Sequence, residues 1–136
     1  MRRLIAAILS VVAYPATEAN EQQVQELLSK MTLEQKVGQM IQAEIQFITP
    51  EQVSRYAIGS VLNGGGSYPK KDKYAPLSEW LDLADAFYEA SRNSQSDGSG
   101  IPLIWGTDAV HGHNNVYGAT LFPHNIGLGA THNPSL

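Results

Sequence analysis

Apolar positions along this chain fall into two patterns, a helical spacing and short unbroken runs, and together they predict an α/β order. Val24, Leu27, Leu28 and Met31 stand at i, i+3, i+4 and i+7, which predicts an amphipathic helix. A second helix starts at Thr32, where Thr32 and Gln35 have capping-box spacing and Leu33, Val37, Met40 and Ile41 form the apolar face. Thr49-Pro50-Glu51-Gln52 repeats that start signal with proline at the first helical position, predicting a short helix that ends near Ala57. Ile58–Leu62 then reads as a buried strand. A long helix follows, capped by Ser78, with Trp80, Leu81, Ala84, Phe87 and Tyr88 on one face. After the polar connector Ser94–Gly100, the apolar run Ile101–Trp105 predicts a second buried strand. Helix, strand, long helix, strand is the opening of a βαβ series with parallel strands. No internal repeat interrupts it.

The first residues follow a different logic. Arg2 and Arg3 precede an apolar core, Leu4–Tyr14, broken only by Ser10. That core is far shorter than the roughly twenty residues a membrane-spanning helix needs, so the segment reads as a secretory signal. Thr17-Glu18-Ala19 offers a small-x-small cleavage site, which assigns residues 1–19 to the signal and residues 20–136 to the mature chain. The chain has no cysteine, hence no disulfide framework, thiolate metal site or lipid-anchoring thiol. Export of a cysteine-free protein suits a periplasm or an external medium. The formal charge of −4 is unsuited to nucleic acid, and the one basic cluster, Lys70, Lys71 and Lys73, holds Asp72 within it and reads as a solvated loop.

Chemistry concentrates where the second strand stops. Ile101–Trp105 runs into Gly106-Thr107-Asp108, so Asp108 is delivered to the C-terminal end of a buried strand, where α/β enzymes keep their sites. Desolvating a carboxylate is costly unless it is paired, so an acid here is either capping its own turn or facing a polar ligand such as a sugar. Ionised, it would accept hydrogen bonds from two adjacent hydroxyls. Residues alone leave open whether Asp108 is a nucleophile: a retaining glycosidase needs a second carboxyl about 5–5.5 Å away, and every other acid reads as lying on a helix or loop. His111 and His113 form an H-x-H beyond the strand, which also suits a metal-dependent barrel hydrolase with His124 and His132 as further ligands. The bland alternative for His111 and His124 is hydrogen bonding that fixes the loop around Asp108. Asn114, Asn115 and Tyr117 are candidates for polar or stacking contacts to a sugar. Pro123, Gly118, Gly127 and Gly129 shape a bend and a further element that brings His124 back towards Asp108. The loop Asn63-Gly64-Gly65-Gly66-Ser67 lacks the Gly-Lys-Ser/Thr ending of a phosphate loop and reads as a tight turn.

Asp108-Ala109-Val110-His111-Gly112, the stretch Ala119–Gly129 (ATLFPHNIGLG) and the opening Met31–Met40 together resemble the amino-terminal region of family 3 glycoside hydrolases. The tract His111–Tyr117 (HGHNNVY) is most similar to the β-glucosidase and exo-β-glucanase branch, and the resemblance spans about Leu27 to Leu136. It implies the N-terminal portion of a (β/α)8 TIM-like barrel, incomplete in this chain, since such a barrel takes about 250 residues. It also implies hydrolysis of terminal β-glucosidic bonds in β-glucans or cello-oligosaccharides, with retention and no cofactor. Asp108 would bind the non-reducing-end sugar. The nucleophilic aspartate, the acid/base glutamate, a lysine-histidine pair and an arginine would lie beyond residue 136, leaving no catalytic residue here and an inactive piece in isolation. A metal-dependent hydrolase and a non-catalytic sugar-binding fragment are the alternatives.

Overall fold

The computed structural model describes residues 16–93 and 100–135 and divides into two units, Met1–Lys30 and Met31–Leu136. In the first, helix α1 runs Ala16–Lys30 and carries Val24, Leu27 and Leu28 of the expected stripe, while Met31 belongs to the second unit. The apolar core of the expected signal lies outside the described residues. Its cleavage segment, Thr17–Ala19, falls in the first turn of α1. No helix among the described residues is long and apolar enough to cross a membrane.

The second unit begins as its caps dictate. Helix α2 (Leu33–Gln39) and helix α3 (Pro50–Tyr56) each open on a complete capping box, Thr32 with Gln35 and Thr49 with Gln52. Each threonine hydroxyl accepts from the third backbone N–H and each glutamine side chain accepts from the cap's own N–H. Caps of this kind stabilise a helix by about 1 kcal/mol, which matters for elements of two turns. Helix α3 stops at Ala57, in the left-handed conformation with φ 51°. Helix α2 docks closely on that end: a Cβ at Gly38 would stand 2.1 Å from the Tyr56 carbonyl oxygen, and Gly59 donates to the Gly38 carbonyl at 3.0 Å.

Three parallel strands follow in sequential order, β1 (Gln42–Glu44), β2 (Ser60–Asn63) and β3 (Ile104–Thr107). Gln42 pairs with Ser60 and Ser60 with Ile104; Glu44 pairs with Leu62 and Leu62 with Gly106. The strand β1 is absent from the hydropathy reading, and the strand β3 begins three residues later than Ile101. Helix α3 connects β1 to β2, and helix α4 (Leu77–Arg92) connects β2 to β3. Val53 of α3 and Trp80 and Phe87 of α4 share one core with Ile45, Ile58, Val61 and Ala75, so both crossover helices cover the same sheet face. Sequential parallel strands with helices on one side form a barrel wall; a doubly wound sheet would reverse order and use both faces.

Helix α4 differs from expectation at its start and on its flank. It begins at Leu77 behind Pro76, with no side-chain cap, and Ser78 lies in its first turn. The proline presets an extended backbone ahead of the helix and fixes the boundary a residue earlier than the serine. Its buried residues are Trp80, Phe87 and Ser91, while Leu81 and Tyr88 are exposed, because the core-facing stripe follows i, i+7 and i+11. Buried Ser91 accepts from Leu103 N–H at 3.1 Å and so ties the end of α4 to the entry of β3.

Alternation along the strands separates two surfaces. Ala43, Val61 and Trp105 face the helices, with Asn63 buried in the same parity. Gln42, Glu44, Leu62, Ile104 and Gly106 therefore point to the other face, the interior of a barrel. Ile104 is 69% exposed there.

Candidate functional site

The loops after β2 and β3 leave the sheet at its C-terminal end, and the candidate residues gather on them. Asp108 follows β3 directly and donates its N–H to the Asn63 carbonyl at 3.0 Å, prolonging the ladder by one bond. Its side chain is exposed, and among the described residues its carboxylate accepts no hydrogen bond. It does not cap its own turn. The carboxylate is presented outward at a strand end on a backbone fixed by the sheet.

A second carboxylate stands beside it. Glu44 closes β1, so the expectation that every other acid lies on a helix or loop is corrected: this one is at a strand end. A Cβ placed on Gly64 would be 3.9 Å from Asp108 Oδ2 and 3.9 Å from Glu44 Oε1, so the two acids flank one point on the β2 loop. Their engagement differs. Glu44 Oε1 accepts from the Ser67 hydroxyl, and its Oε2 accepts from the Gln46 N–H at 2.8 Å. Glu44 thus holds the glycine-rich loop, while Asp108 remains open to a ligand. The signal for β1 is a two-residue alternation, Ile41, Ala43 and Ile45, too short to separate from the end of α2.

The glycine-rich loop is held from the other side by an amide clamp absent from the sequence reading. Asn115 is 2% exposed, its Oδ1 accepts from Gly66 N–H at 3.1 Å, and its Nδ2 donates to the Gly64 carbonyl at 3.0 Å. Fully buried Asn63 donates to the Ser67 carbonyl at 2.9 Å and accepts from the Thr107 hydroxyl at 3.3 Å. The two asparagines lock the β2 and β3 loops together around Asp108. Asn115 is therefore a loop fastener rather than a sugar contact, whereas Asn114 and Tyr117 are exposed. The tight turn expected of this loop forms, with Gly66 at φ 88° and the Ser67 N–H donating to the Gly64 carbonyl at 3.2 Å, but the close backbone approach lies elsewhere. Gly65 and Gly66 have open space, and Gly112, at φ 109°, is the glycine pressed against the Thr120 carbonyl.

The histidines divide. His111 Nδ1 lies 2.9 Å from the Phe122 carbonyl, whose residue donates its N–H back to the His111 carbonyl at 2.7 Å. The His111 ring sits 4.9 Å from that of His124, which precedes helix α5 (Asn125–Ala130), so His124 does return towards the Asp108 loop. His113 packs edge-on to Trp80 at 5.8 Å and lies 3.4 Å from the Thr107 hydroxyl. The H-x-H pair thus serves two different neighbourhoods, and no group of three or more metal-ligating side chains forms among the described residues. The loop-fixing alternative describes His111, whose ring bonds to the Phe122 carbonyl, whereas His124 meets it through a ring contact. The basic cluster is a surface loop, with Lys70 paired to Glu79 at 3.0 Å.

Comparison with known proteins agrees with this geometry. Residues 32–136 match the model of the glycosyl hydrolase family 3 N terminal domain. A lysosomal beta glucosidase of Dictyostelium discoideum is 38% identical over 128 residues, covering 81% of this chain and 15% of that protein. Among solved structures, an exo-1,3/1,4-beta-glucanase from a Pseudoalteromonas species superposes with a TM-score of 0.76 at 57% identity, over 88% of this chain and 15% of that one. A single-substitution variant of the same glucanase superposes equally well. The chain therefore spans about a seventh of the length of these relatives. With sequential parallel strands, helices on one face and an open strand-end carboxylate, the chain belongs to glycosyl hydrolase family 3 and carries the first part of its barrel domain.

Proposed function

We propose that this chain forms the sugar-holding corner of a β-glucosidase or exo-β-glucanase that removes terminal glucose from β-glucans and cello-oligosaccharides. The observation that carries the reading is Asp108: a carboxylate on a rigid strand end, exposed and accepting no hydrogen bond among the described residues, between two loops locked by Asn63 and Asn115. Such a group accepts from two neighbouring sugar hydroxyls and fixes the ring's orientation at the cleavage point. The likeness to a beta glucosidase and an exo-1,3/1,4-beta-glucanase supports the substrate class.

Cleavage would proceed with retention, through a glycosyl-enzyme intermediate, on a nucleophile and an acid/base supplied by the rest of the protein. Glu44, whose two oxygens accept from the Gln46 N–H and the Ser67 hydroxyl, is assigned to holding the glycine-rich loop. The arginine pair and apolar run at the N-terminus support export to the periplasm or medium. The test is hydrolysis of aryl β- and α-glucosides by the full-length protein, with the product anomer followed by proton NMR. Release of β-glucose from the β-glucoside alone is the expected result. No cleavage of any β-glucoside would overturn the activity, and α-glucose as first product would overturn retention.

A further inference from the structure

Gly64 is the first residue after β2, flanked by Glu44 at the end of β1 and by Asp108 after β3. Because β2 is the middle strand, the neighbours of Gly64 on both sides of the sheet belong to this chain. Two backbone reasons ordinarily call for glycine, a left-handed conformation and a close approach, and neither applies. The left-handed residue of this loop is Gly66, and Gly64 lies outside that region. A Cβ on Gly64 would meet Glu44 Cγ at 3.8 Å, and Asp108 Oδ2 and Glu44 Oε1 at 3.9 Å, which are ordinary contact distances to side chains alone. The fold would accept alanine here.

What the missing side chain leaves free is space beside the Asp108 carboxylate. A hydroxyl that donates to Asp108 Oδ2 needs its oxygen about 2.7 Å away and its carbon just beyond. A methyl group 3.9 Å from the same oxygen, and equally far from Glu44 Oε1, would fill that space on the side facing Glu44. The loop cannot withdraw to make room. The Gly64 carbonyl accepts from Asn115 Nδ2 at 3.0 Å and from the Ser67 N–H at 3.2 Å, and Glu44 is tied to Ser67 and Gln46. A gap with fixed walls selects by size, since its walls do not relax around a misfit.

We infer that Gly64 is a specificity-determining residue of the glucosidase, bare so that a sugar hydroxyl donating to Asp108 Oδ2 fits between Asp108 and Glu44. A side chain at this position competes with the ligand and not with the fold. The inference rests on the proposed glucosidase reading and adds to it the residue that sets how much room the sugar has beside Asp108.

The experiment compares the full-length protein with Gly64→Ala, Gly65→Ala, Asp108→Ala and the double variant Gly64→Ala/Asp108→Ala, in thermal melts, in hydrolysis of an aryl β-glucoside and in calorimetric titration of glucose. Gly64→Ala should leave the Tm unchanged and reduce kcat/KM and glucose affinity about tenfold, a change of about 1.4 kcal/mol. Gly65→Ala, whose Cβ meets nothing within 4 Å, should match the unaltered protein. Added to Asp108→Ala, the Gly64 substitution should cost little more, because two residues acting on one ligand group are not additive. An unaltered kcat/KM or a lowered Tm in Gly64→Ala, an equally impaired Gly65→Ala, or additive losses in the double variant would overturn the role of Gly64 and leave the glucosidase reading intact. An unaltered protein that cleaves no β-glucoside but binds glucose, more weakly once Gly64 is alanine, would overturn the glucosidase reading and keep the role of Gly64. Absence of both cleavage and glucose binding would overturn the two together.

Discussion

At the scale of single residues, the burial of Asn115 makes its role measurable. Replacing it by alanine leaves the Gly66 N–H and the Gly64 carbonyl without their partner. Two part-buried polar groups that lose their partner cost about 1–2 kcal/mol together, so Asn115→Ala should lower the denaturant midpoint without changing the slope. An unchanged midpoint would show that water replaces the amide and that the clamp is dispensable. Glycines offer a matched pair of the opposite kind. Gly38→Ala forces a Cβ to within 2.1 Å of a carbonyl oxygen and should cost at least about 2 kcal/mol, whereas Gly65→Ala meets nothing within 4 Å and should be nearly neutral. Thermal melts of the two variants separate close packing from mere glycine content. The place of Asp108 at a strand end was legible in the sequence, because an acid directly after an apolar run is physically unusual, although the structure leaves that run half-exposed rather than buried. Asn63 and Asn115 were not, since their value lies in a meeting across about fifty residues that neither local pattern shows.

At the scale of elements, helix starts were the most readable feature. The Thr32 and Thr49 caps depend on residues three apart, and the structure forms both boxes as the spacing predicts. They also carry a pH signature. The helix-start backbone and Thr32 hold Glu34 below its ordinary value, and the Thr49 hydroxyl and the helix-start backbone do the same for Glu51. A folded value below the unfolded one adds stability above the unfolded value and loses it as pH falls through the folded value. Glu51→Gln should therefore lower the Tm slightly at neutral pH, and the difference from the unaltered protein should vanish in strong acid. A difference that persists in acid would assign the effect to packing instead. Strands were less legible. Only three residues form β1, and its Ile41, Ala43 and Ile45 alternation merges into the apolar face of α2, so the strand and its terminal Glu44 emerge only from pairing with β2. The start of α4 moved because Pro76, not Ser78, sets the boundary.

At the scale of the whole molecule, the faces left uncovered are as informative as the core. Leu33 and Met40 of the expected apolar face of α2 are exposed, and a groove of about 750 Å³ runs between α2 and α3, lined by Val37, Ile41, Tyr56 and Ile58. The barrel-interior face of the sheet, with Ile104 and Leu62, is open as well. Contiguous apolar surface and unpaired strand edges drive association. A polypeptide of these 136 residues alone should self-associate at micromolar concentration and bind a hydrophobic dye, as read by sedimentation velocity and fluorescence. A monodisperse, dye-silent monomer would contradict the incomplete-barrel description. The fold class was readable from element order, but the single-sided placement of α3 and α4 that marks a barrel wall required the structure. The central claim is that Asp108 holds the sugar, and its most direct test is the kinetics of Asp108→Ala in the full-length protein on an aryl β-glucoside. Loss of two charge-assisted hydrogen bonds, about 3–4 kcal/mol together, predicts a kcat/KM reduced by a few hundredfold, with a raised KM and a lowered kcat. An unaltered kcat/KM would contradict the account.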